Sequence, residues 1–170
     1  LVIAIVNGRD TSSAENLILE DYVKDRRIDV EKTPLRIEGG FLHPKVMDEK
    51  ASADSTVVAG IQKYTAMLTN RTIDVTISTT WAVEEYEKAD SYCDLSELLP
   101  SNLYEELEER LYYCKNQSGK SIPAGIRLDR DSCFGEFYED GIPVLTVSAY
   151  STRKEEAVAF IEWLHISGIF

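Results

Sequence analysis

The chain has 170 residues, with 18 Lys and Arg side chains against 30 Asp and Glu side chains, and a formal net charge of −12 at pH 7. Hydrophobic residues make up 44% of the sequence and charged residues 28%, a balance typical of a soluble globular domain and not of a disordered chain. Because a chain of this charge repels a polyphosphate, the composition excludes non-specific DNA or RNA binding. We therefore predict one domain spanning residues 1–170 and no nucleic-acid partner.

The sequence contains no apolar stretch close to the ~20 residues that are needed to cross a bilayer. The apolar residues 1–6 are too few for a signal-peptide core, and the chain starts without Met. We therefore interpret the sequence as an excised fragment or a mature chain, and expect any membrane anchor to lie outside it.

The chain opens with a continuous apolar run, residues 1–6, which predicts a strand buried on both faces. A polar loop of residues 7–11 follows, and Ser12 begins a capping-box pattern that is typical of a helix start. Apolar residues at helical spacing extend to Tyr22, and the charged residues 24–27 end the helix. Strand, polar turn and helix in this order indicate the beginning of a βαβ unit.

The middle of the chain repeats this alternation. Residues 33–37 alternate as an edge strand does and end at Gly39–Gly40, and residues 44–68 have the spacing of a helix. Residues 73–78 predict another strand, and residues 79–89 predict the helix that follows it.

Residues 101–113 carry leucines at i+4 steps, which predicts a helix. Four glutamates occupy its other face, which we interpret as a solvated surface and not as a catalytic or metal cluster: Glu105, Glu106, Glu108 and Glu109. Residues 116–119 predict a turn, residues 122–128 a strand weakened by Pro and Gly, and residues 129–141 a polar loop.

The last unit is a predicted strand over residues 143–149, a capping box over residues 152–155, and a helix that ends at Gly168. Alternating strands and helices are typical of the α/β class. We therefore predict a mostly parallel sheet that is flanked by helices on both faces.

The three cysteines, Cys93, Cys114 and Cys133, form no CxxC pair, and the two histidines are far apart in sequence. We therefore predict no metal site. Two alternatives remain open for Cys93 and Cys114: a disulfide if the domain is exported, or a pair of small buried hydrophobic residues.

The motifs of the common enzyme and cofactor folds are absent. The sequence has no GxSxG nucleophile elbow, no GxxxxGK[ST] loop and no GxGxxG fingerprint. We therefore predict no catalytic residues and no cofactor. An enzyme related to the flavodoxin-like folds stays an alternative, with Asp10 after the first strand as its candidate acid.

Three polar segments each lead from a predicted strand into a helix, after Val6, Ser78 and Ala149. Ligands of open α/β sheets bind at the carboxyl ends of strands, and helix starts offer free N–H groups and a partial positive charge. We expect the three turns to lie along one edge of the sheet and to form a ligand site. The candidate ligand-binding residues are Asn7, Arg9, Asp10, Ser12, Ser13, Thr79, Thr80, Trp81, Arg127, Tyr150 and Ser151. The alternative is that the serines and threonines only cap their own helices.

Three segments resemble segments of bacterial extracellular solute-binding proteins: IDVTIS at 73–78, CDLSELLP at 93–100 and EEAVAFIEWL at 155–164. Members of that family have two lobes with a ligand cleft between them. Only residues 90–141 are available for a second lobe here, so the resemblance implies a periplasmic-binding-protein-like lobe with a reduced or missing second lobe.

The resemblance implies a non-catalytic domain, extracellular or on the cell surface and carried by a membrane-anchored protein, that binds a small polar or anionic solute. The alternative is a structural or protein-interaction domain that has lost ligand binding. In that case, the acidic face at Glu105–Glu109 and the tyrosines Tyr112 and Tyr113 would form the partner surface, because aromatic side chains are enriched at interfaces.

Overall fold

A computed structural model describes residues 1–9, 20–31, 35–139 and 141–170. It contains six strands: β1 (Val2–Val6), β2 (Arg36–Phe41), β3 (Val75–Thr79), β4 (Leu111–Lys115), β5 (Ser121–Arg127) and β6 (Pro143–Val147). The strands form one sheet in the order β2-β1-β3-β6-β5-β4.

Residues 20–26 are helical. The other α-helices of the described residues are α1 (Glu49–Ala53), α2 (Ser55–Thr69), α3 (Thr80–Glu87), α4 (Leu95–Leu98), α5 (Ser101–Glu106) and α6 (Lys154–Ile166). Short 3-10 turns occupy Glu108–Arg110 and Gly135–Phe137. None of the helices described here combines the length and the apolar composition that a membrane crossing requires.

The α/β class is confirmed, but the sheet is mixed and not mostly parallel. β1 runs parallel to both of its neighbours, β2 and β3. β6 runs antiparallel to β3, and β5 and β4 continue antiparallel beyond it. The parallel half has helices in its connections, whereas β4 and β5 form a hairpin, and the described part of the β5–β6 connection, residues 128–142, contains no α-helix.

The predicted helix over residues 101–113 is wrong in its second half. Its helical part ends at Glu106, and Leu111 begins β4, where it lies opposite Ile126 of β5. Tyr112 and Tyr113 favour a strand over a helix, and the predicted turn at 116–119 connects that strand to its antiparallel partner. Residues 90–141 therefore add two strands to the same sheet.

Two other predicted boundaries differ from the structure. The predicted helix over 44–68 is two helices, because Asp48 and Asp54 each accept hydrogen bonds from N–H groups of a new first turn. β2 does not end before Gly39–Gly40 but continues through them to Phe41.

Both faces of β1 are buried, as predicted. Ile3 and Ile5 point into a cluster with Tyr22 of the helical segment 20–26 and with residues of α6. Ala4 and Val6 point into a second cluster with residues of α2 and α3. The helical segment that follows β1 and the helix that follows β3 consequently lie on opposite faces of the sheet.

Candidate functional site

β1 and β3 are adjacent parallel strands whose following helices cover opposite faces of the sheet. Such a pair is a topological switch point, where the diverging connections leave a crevice outside the carboxyl ends of the strands. Asn7 directly follows β1, and Thr79 is the last residue of β3. The carboxyl ends of β1 and β3 are therefore where this fold favours a ligand site.

Asn7 joins the ends of all three parallel strands. Its Oδ1 accepts from the His43 N–H at 2.6 Å, and its Nδ2 donates to the His43 carbonyl at 2.8 Å and to Thr79 Oγ1 at 2.9 Å. Its backbone N–H donates to the carbonyl of Phe41, the last residue of β2. The Asn7 backbone has φ of +62°, a left-handed conformation that asparagine tolerates better than most residues.

Trp81, in the first turn of α3, packs beside this bridge. Its Nε1–H donates to the His43 carbonyl at 3.0 Å, and Lys45 Nζ lies 5.9 Å from the centre of its ring. Thr79 occupies the N-cap position of α3 but makes no capping hydrogen bond with its side chain. Its hydroxyl accepts from Asn7 instead.

These residues border an open cleft of about 240 Å³. Its walls are formed by Asn7, Arg9, Leu42, His43, Pro44, Thr79, Trp81 and Glu139. Arg9 and Glu139 form an ion pair, and both side chains are more than half exposed. Arg9 is held through its backbone N–H, which donates to the Phe137 carbonyl at 2.9 Å. The two charged side chains of the cleft wall thus pair with each other, and Lys45 beside the Trp81 ring adds one positive charge near the cleft.

Four predicted site residues therefore come together at this cleft: Asn7, Arg9, Thr79 and Trp81. Thr80 is the first residue of α3 and lies between two of them. Asp10, Ser12 and Ser13 lie outside the described residues. His43 and Glu139 also border the cleft but are not among the residues predicted from the sequence; β2 ends at Phe41 and runs parallel to β1, which places His43 at the same edge.

Arg127 lies at the same edge of the sheet but not at the cleft. It ends β5, which β6 separates from β3. Its guanidinium carbon lies 5.7 Å from the centre of the Tyr112 ring, and it borders a different cavity.

The expectation that all three polar turns share one edge is wrong. β6 runs antiparallel to β3, so the turn after Ala149 lies at the amino ends of β1 and β3. The Tyr150 hydroxyl donates to the Ala89 carbonyl at 3.4 Å, and Ser151 Oγ donates to Asp74 Oδ1 at 2.6 Å. Tyr150 and Ser151 are therefore across the sheet from the cleft.

At that opposite edge, the buried carboxylate of Asp74 holds β6 and α6 to β1. It accepts from the Val2 N–H at 2.8 Å and from Ser151, and Arg153 Nη2 lies 2.7 Å from its Oδ2. Ser151 Oγ also accepts the Arg153 N–H at 2.9 Å, so the predicted capping box at 152–155 is wrong and α6 has no capping side chain at Arg153. The role of Ser151 in this structure is to support the fold.

The three cysteines are free thiols. Cys93 and Cys114 belong to different core clusters, which matches the alternative of small buried hydrophobic residues. Burial raises the pKa of Cys114 to about 12 and that of Cys133 to about 11. Outside the gaps at 10–19, 32–34 and 140, no three His, Cys, Asp or Glu side chains are grouped closely enough to hold a metal ion.

We expect Asn7→Gly to lower the free energy of unfolding by roughly 2 kcal/mol, since it removes three side-chain hydrogen bonds worth about 1 kcal/mol each or less. Asn7→Ala should cost roughly 1 kcal/mol more, because alanine is strained where φ is positive. Urea titrations of both variants measure the two effects separately. Equal stability of the two variants would show that the left-handed backbone carries no strain.

No protein-family model, no curated protein and no solved structure matches this chain significantly.

Proposed function

We propose that this protein is a non-catalytic binding domain that holds a small polar or anionic solute in the cleft between the ends of β1 and β3. One observation carries the proposal: Asn7 ties three parallel strand ends together at the switch point, beside a cleft bordered by Arg9 and Trp81. An edge fixed in this way is pre-organised, so binding a solute there costs little ordering of the protein.

The cleft favours an anion because its remaining donors are cationic or dipolar. The amide of Asn7 and the indole of Trp81 already have partners within the protein. The guanidinium of Arg9 becomes available when a ligand displaces Glu139, and with the ammonium of Lys45 and the N–H groups at the start of α3 it favours negative charge. Leu42 and the Trp81 ring supply apolar surface, so we propose a small carboxylate with an apolar or ring-shaped part.

We propose a binding role and not a catalytic one because of the side chains that border the cleft. Glu139 is its one carboxylate among the described residues, and it is paired with Arg9. His43 Nδ1 lies 3.2 Å from the Pro44 carbonyl and faces the Tyr86 ring, with no hydroxyl or thiol nucleophile of the described residues bonded to it. A base without a nucleophile or a second acid supports binding over chemistry.

The cellular context of the proposal comes from the resemblance of three segments to extracellular solute-binding proteins. We propose a periplasmic-binding-protein-like lobe that is reduced to one sheet, carried outside the cell by a membrane-anchored protein. The segment at 93–100 forms a helical turn capped by Asp94, and the segment at 155–164 lies within α6. The described residues form no second lobe over the cleft, so we expect this domain to bind the solute weakly.

Calorimetry and thermal shift against amino acids, sugars, oligopeptides and small carboxylates test the proposal. We expect carboxylates to bind, Arg9→Gln to weaken binding about tenfold, and Glu139→Gln to strengthen it by freeing Arg9. Arg71→Gln is the matched control, because it removes the same charge from an exposed position next to the amino end of β3. A silent panel, or a hit that Arg9→Gln leaves unchanged, would reject the cleft as a solute site.

The second candidate is a structural or protein-interaction domain. It is favoured because polar side chains at the cleft already have hydrogen-bond partners within the protein. The amide of Asn7 donates to the Thr79 hydroxyl, and the indole of Trp81 donates to the His43 carbonyl. These hydrogen bonds form without a ligand, as expected for a purely structural edge. The partner surface would include Tyr113, whose ring is half exposed on β4. A folded protein that binds none of the solutes tested by calorimetry and thermal shift would favour this candidate.

A further inference from the structure

Three arginines border one cavity of about 390 Å³ near the carboxyl end of β5: Arg110, Arg127 and Arg130. Leu111 of β4 lies opposite Ile126 of β5, so the residues that precede and follow them, Arg110 and Arg127, are neighbours at this end of the sheet. The remaining walls are Glu109, Leu128, Asp129 and Ile142. The cavity is separate from the cleft at Asn7, because β6 lies between β5 and β3.

The charges of this cavity do not cancel. Arg110 makes two parallel hydrogen bonds to Asp129, each 3.0 Å long, which use the carboxylate in full and lower the pKa of Asp129. Arg127 and Arg130 form no ion pair with any carboxylate of the described residues. Among the described residues that border the cavity, Glu109 is the one acid left to oppose the guanidinium groups of Arg127 and Arg130.

Contacts within the protein restrain the side chain of Arg127 and the backbone of Arg130. The Arg127 guanidinium is 5.7 Å from the centre of the Tyr112 ring, and the Tyr112 hydroxyl donates to Glu84 Oε1 at 2.5 Å. A guanidinium at this distance from an aromatic ring has a favourable cation–π interaction, which restricts the Arg127 side chain before a ligand binds.

Arg130 lies on a turn that Ser132 closes. Ser132 Oγ donates to the Asp129 carbonyl at 2.5 Å and accepts the Gly135 N–H at 3.1 Å. A side chain at Gly135 would lie 2.2 Å from the Arg130 carbonyl oxygen, so the turn closes tightly only with glycine there. The backbone that carries Arg130 is therefore fixed before any ligand arrives.

We propose that this cavity is a second binding site, for the phosphate group of a small phosphate monoester. Two free guanidinium groups beside a third match a dianion better than a single carboxylate, and the planar fork of arginine suits phosphate oxygens. Ile142, which is 46% exposed, and Leu128 provide apolar surface for the organic part of the ester. The proposal does not depend on the solute site at Asn7.

Titration with inorganic phosphate and with phenyl phosphate, in chloride at matched ionic strength, tests this site by NMR or calorimetry. We expect both ligands to bind, phenyl phosphate more tightly, with Arg127→Gln and Arg130→Gln each weakening binding about tenfold. Glu109→Gln should strengthen binding, because it removes the opposing charge. Arg127→Lys keeps the charge and loses the fork, and it should bind less tightly than the wild type.

Arg71→Gln is again the control for net charge, and thermal unfolding of each variant checks that the fold is intact. The proposal is overturned if neither ligand binds the wild type, or if Arg71→Gln weakens binding as much as Arg127→Gln does. Loss of phosphate binding in Arg9→Gln but not in Arg127→Gln would place the anion in the cleft at Asn7 and would also overturn it. If no solute binds in the cleft at Asn7 but phosphate binds and requires Arg127, the proposed solute site is rejected and the phosphate site is supported.

Discussion

Replacement of Asp74 by alanine is expected to lower the free energy of unfolding by roughly 3–5 kcal/mol, the usual cost of breaking a buried ion pair from one side. The Asp74 side chain is fully buried and serves Val2, Ser151 and Arg153 together. Its removal leaves the Arg153 guanidinium, which is 26% exposed, without its carboxylate. The amino ends of β1 and β3 would then keep the weaker polar contacts of Leu1 with Glu156 and of Arg153 with the Thr72 carbonyl.

Urea unfolding of the variants measures this cost. Asp74→Asn keeps acceptor and donor atoms but not the charge, so its stability should fall between those of Asp74→Ala and the wild type. Asp54→Ala is the contrasting control, since that aspartate is an exposed helix cap and its loss should cost about 1 kcal/mol. If Asp74→Ala were no less stable than Asp54→Ala, the buried pair would have no structural importance.

Stability is expected to fall as the pH rises from about 4.5 to about 7, because of Glu87 at the end of α3. Its side chain is fully buried; Oε2 accepts the Tyr92 N–H at 3.1 Å, and Oε1 has no partner. Burial, with smaller contributions from Asp90 and Asp94, raises the pKa of Glu87 to about 7 from an ordinary value of 4.5. The neighbouring thiols of Cys93 and Cys114 are buried as well and supply no positive charge.

The sign of the effect follows from proton binding. Between these two pKa values the native state holds a proton on Glu87 that the unfolded chain has lost, so raising the pH favours unfolding. At about 1.4 kcal/mol per pKa unit, the full loss is roughly 3 kcal/mol and is complete above pH 7.

Unfolding free energies of the wild type and of Glu87→Gln, measured from pH 4 to pH 8, isolate this contribution. The amide keeps an acceptor for the Tyr92 N–H and does not titrate, so the difference between the two curves should shift in favour of the variant as the pH rises. Glu105→Gln, at an exposed position, should follow the wild-type curve. Parallel curves for Glu87→Gln and the wild type would contradict a raised pKa.

The regular elements could be predicted where local pattern and tertiary role agree. β1 is a continuous apolar run rich in β-branched residues, which is typical of a strand buried on both faces, and α6 has an apolar stripe that faces the core. Leu111 misled the prediction because its i+4 spacing fits a helix, whereas its burial comes from pairing with Ile126 in a hairpin. Local spacing does not reveal a partner that lies 15 residues along the chain.

The site was partly predictable for a similar reason. Asn7 follows β1 and Thr79 ends β3, and helical crossovers determine the direction of both strands, so the two residues were predicted at one edge correctly. The direction of β6 depends on what precedes it: β5 runs in the same direction as β3, and the connection from β5 to β6 reverses the chain, which places Tyr150 and Ser151 at the other edge. No sequence pattern near Tyr150 records that reversal.

The central claim is that the end of β1 and the end of β3 form a solute site. An NMR titration of the wild type with the best carboxylate of the panel tests it most directly, by following the indole N–H of Trp81 and the side-chain amide of Asn7. We predict saturable shifts of both signals that Arg9→Gln abolishes and Arg71→Gln preserves. Saturable binding that leaves both signals in place and moves those of Tyr150 or Arg127 would contradict the claim.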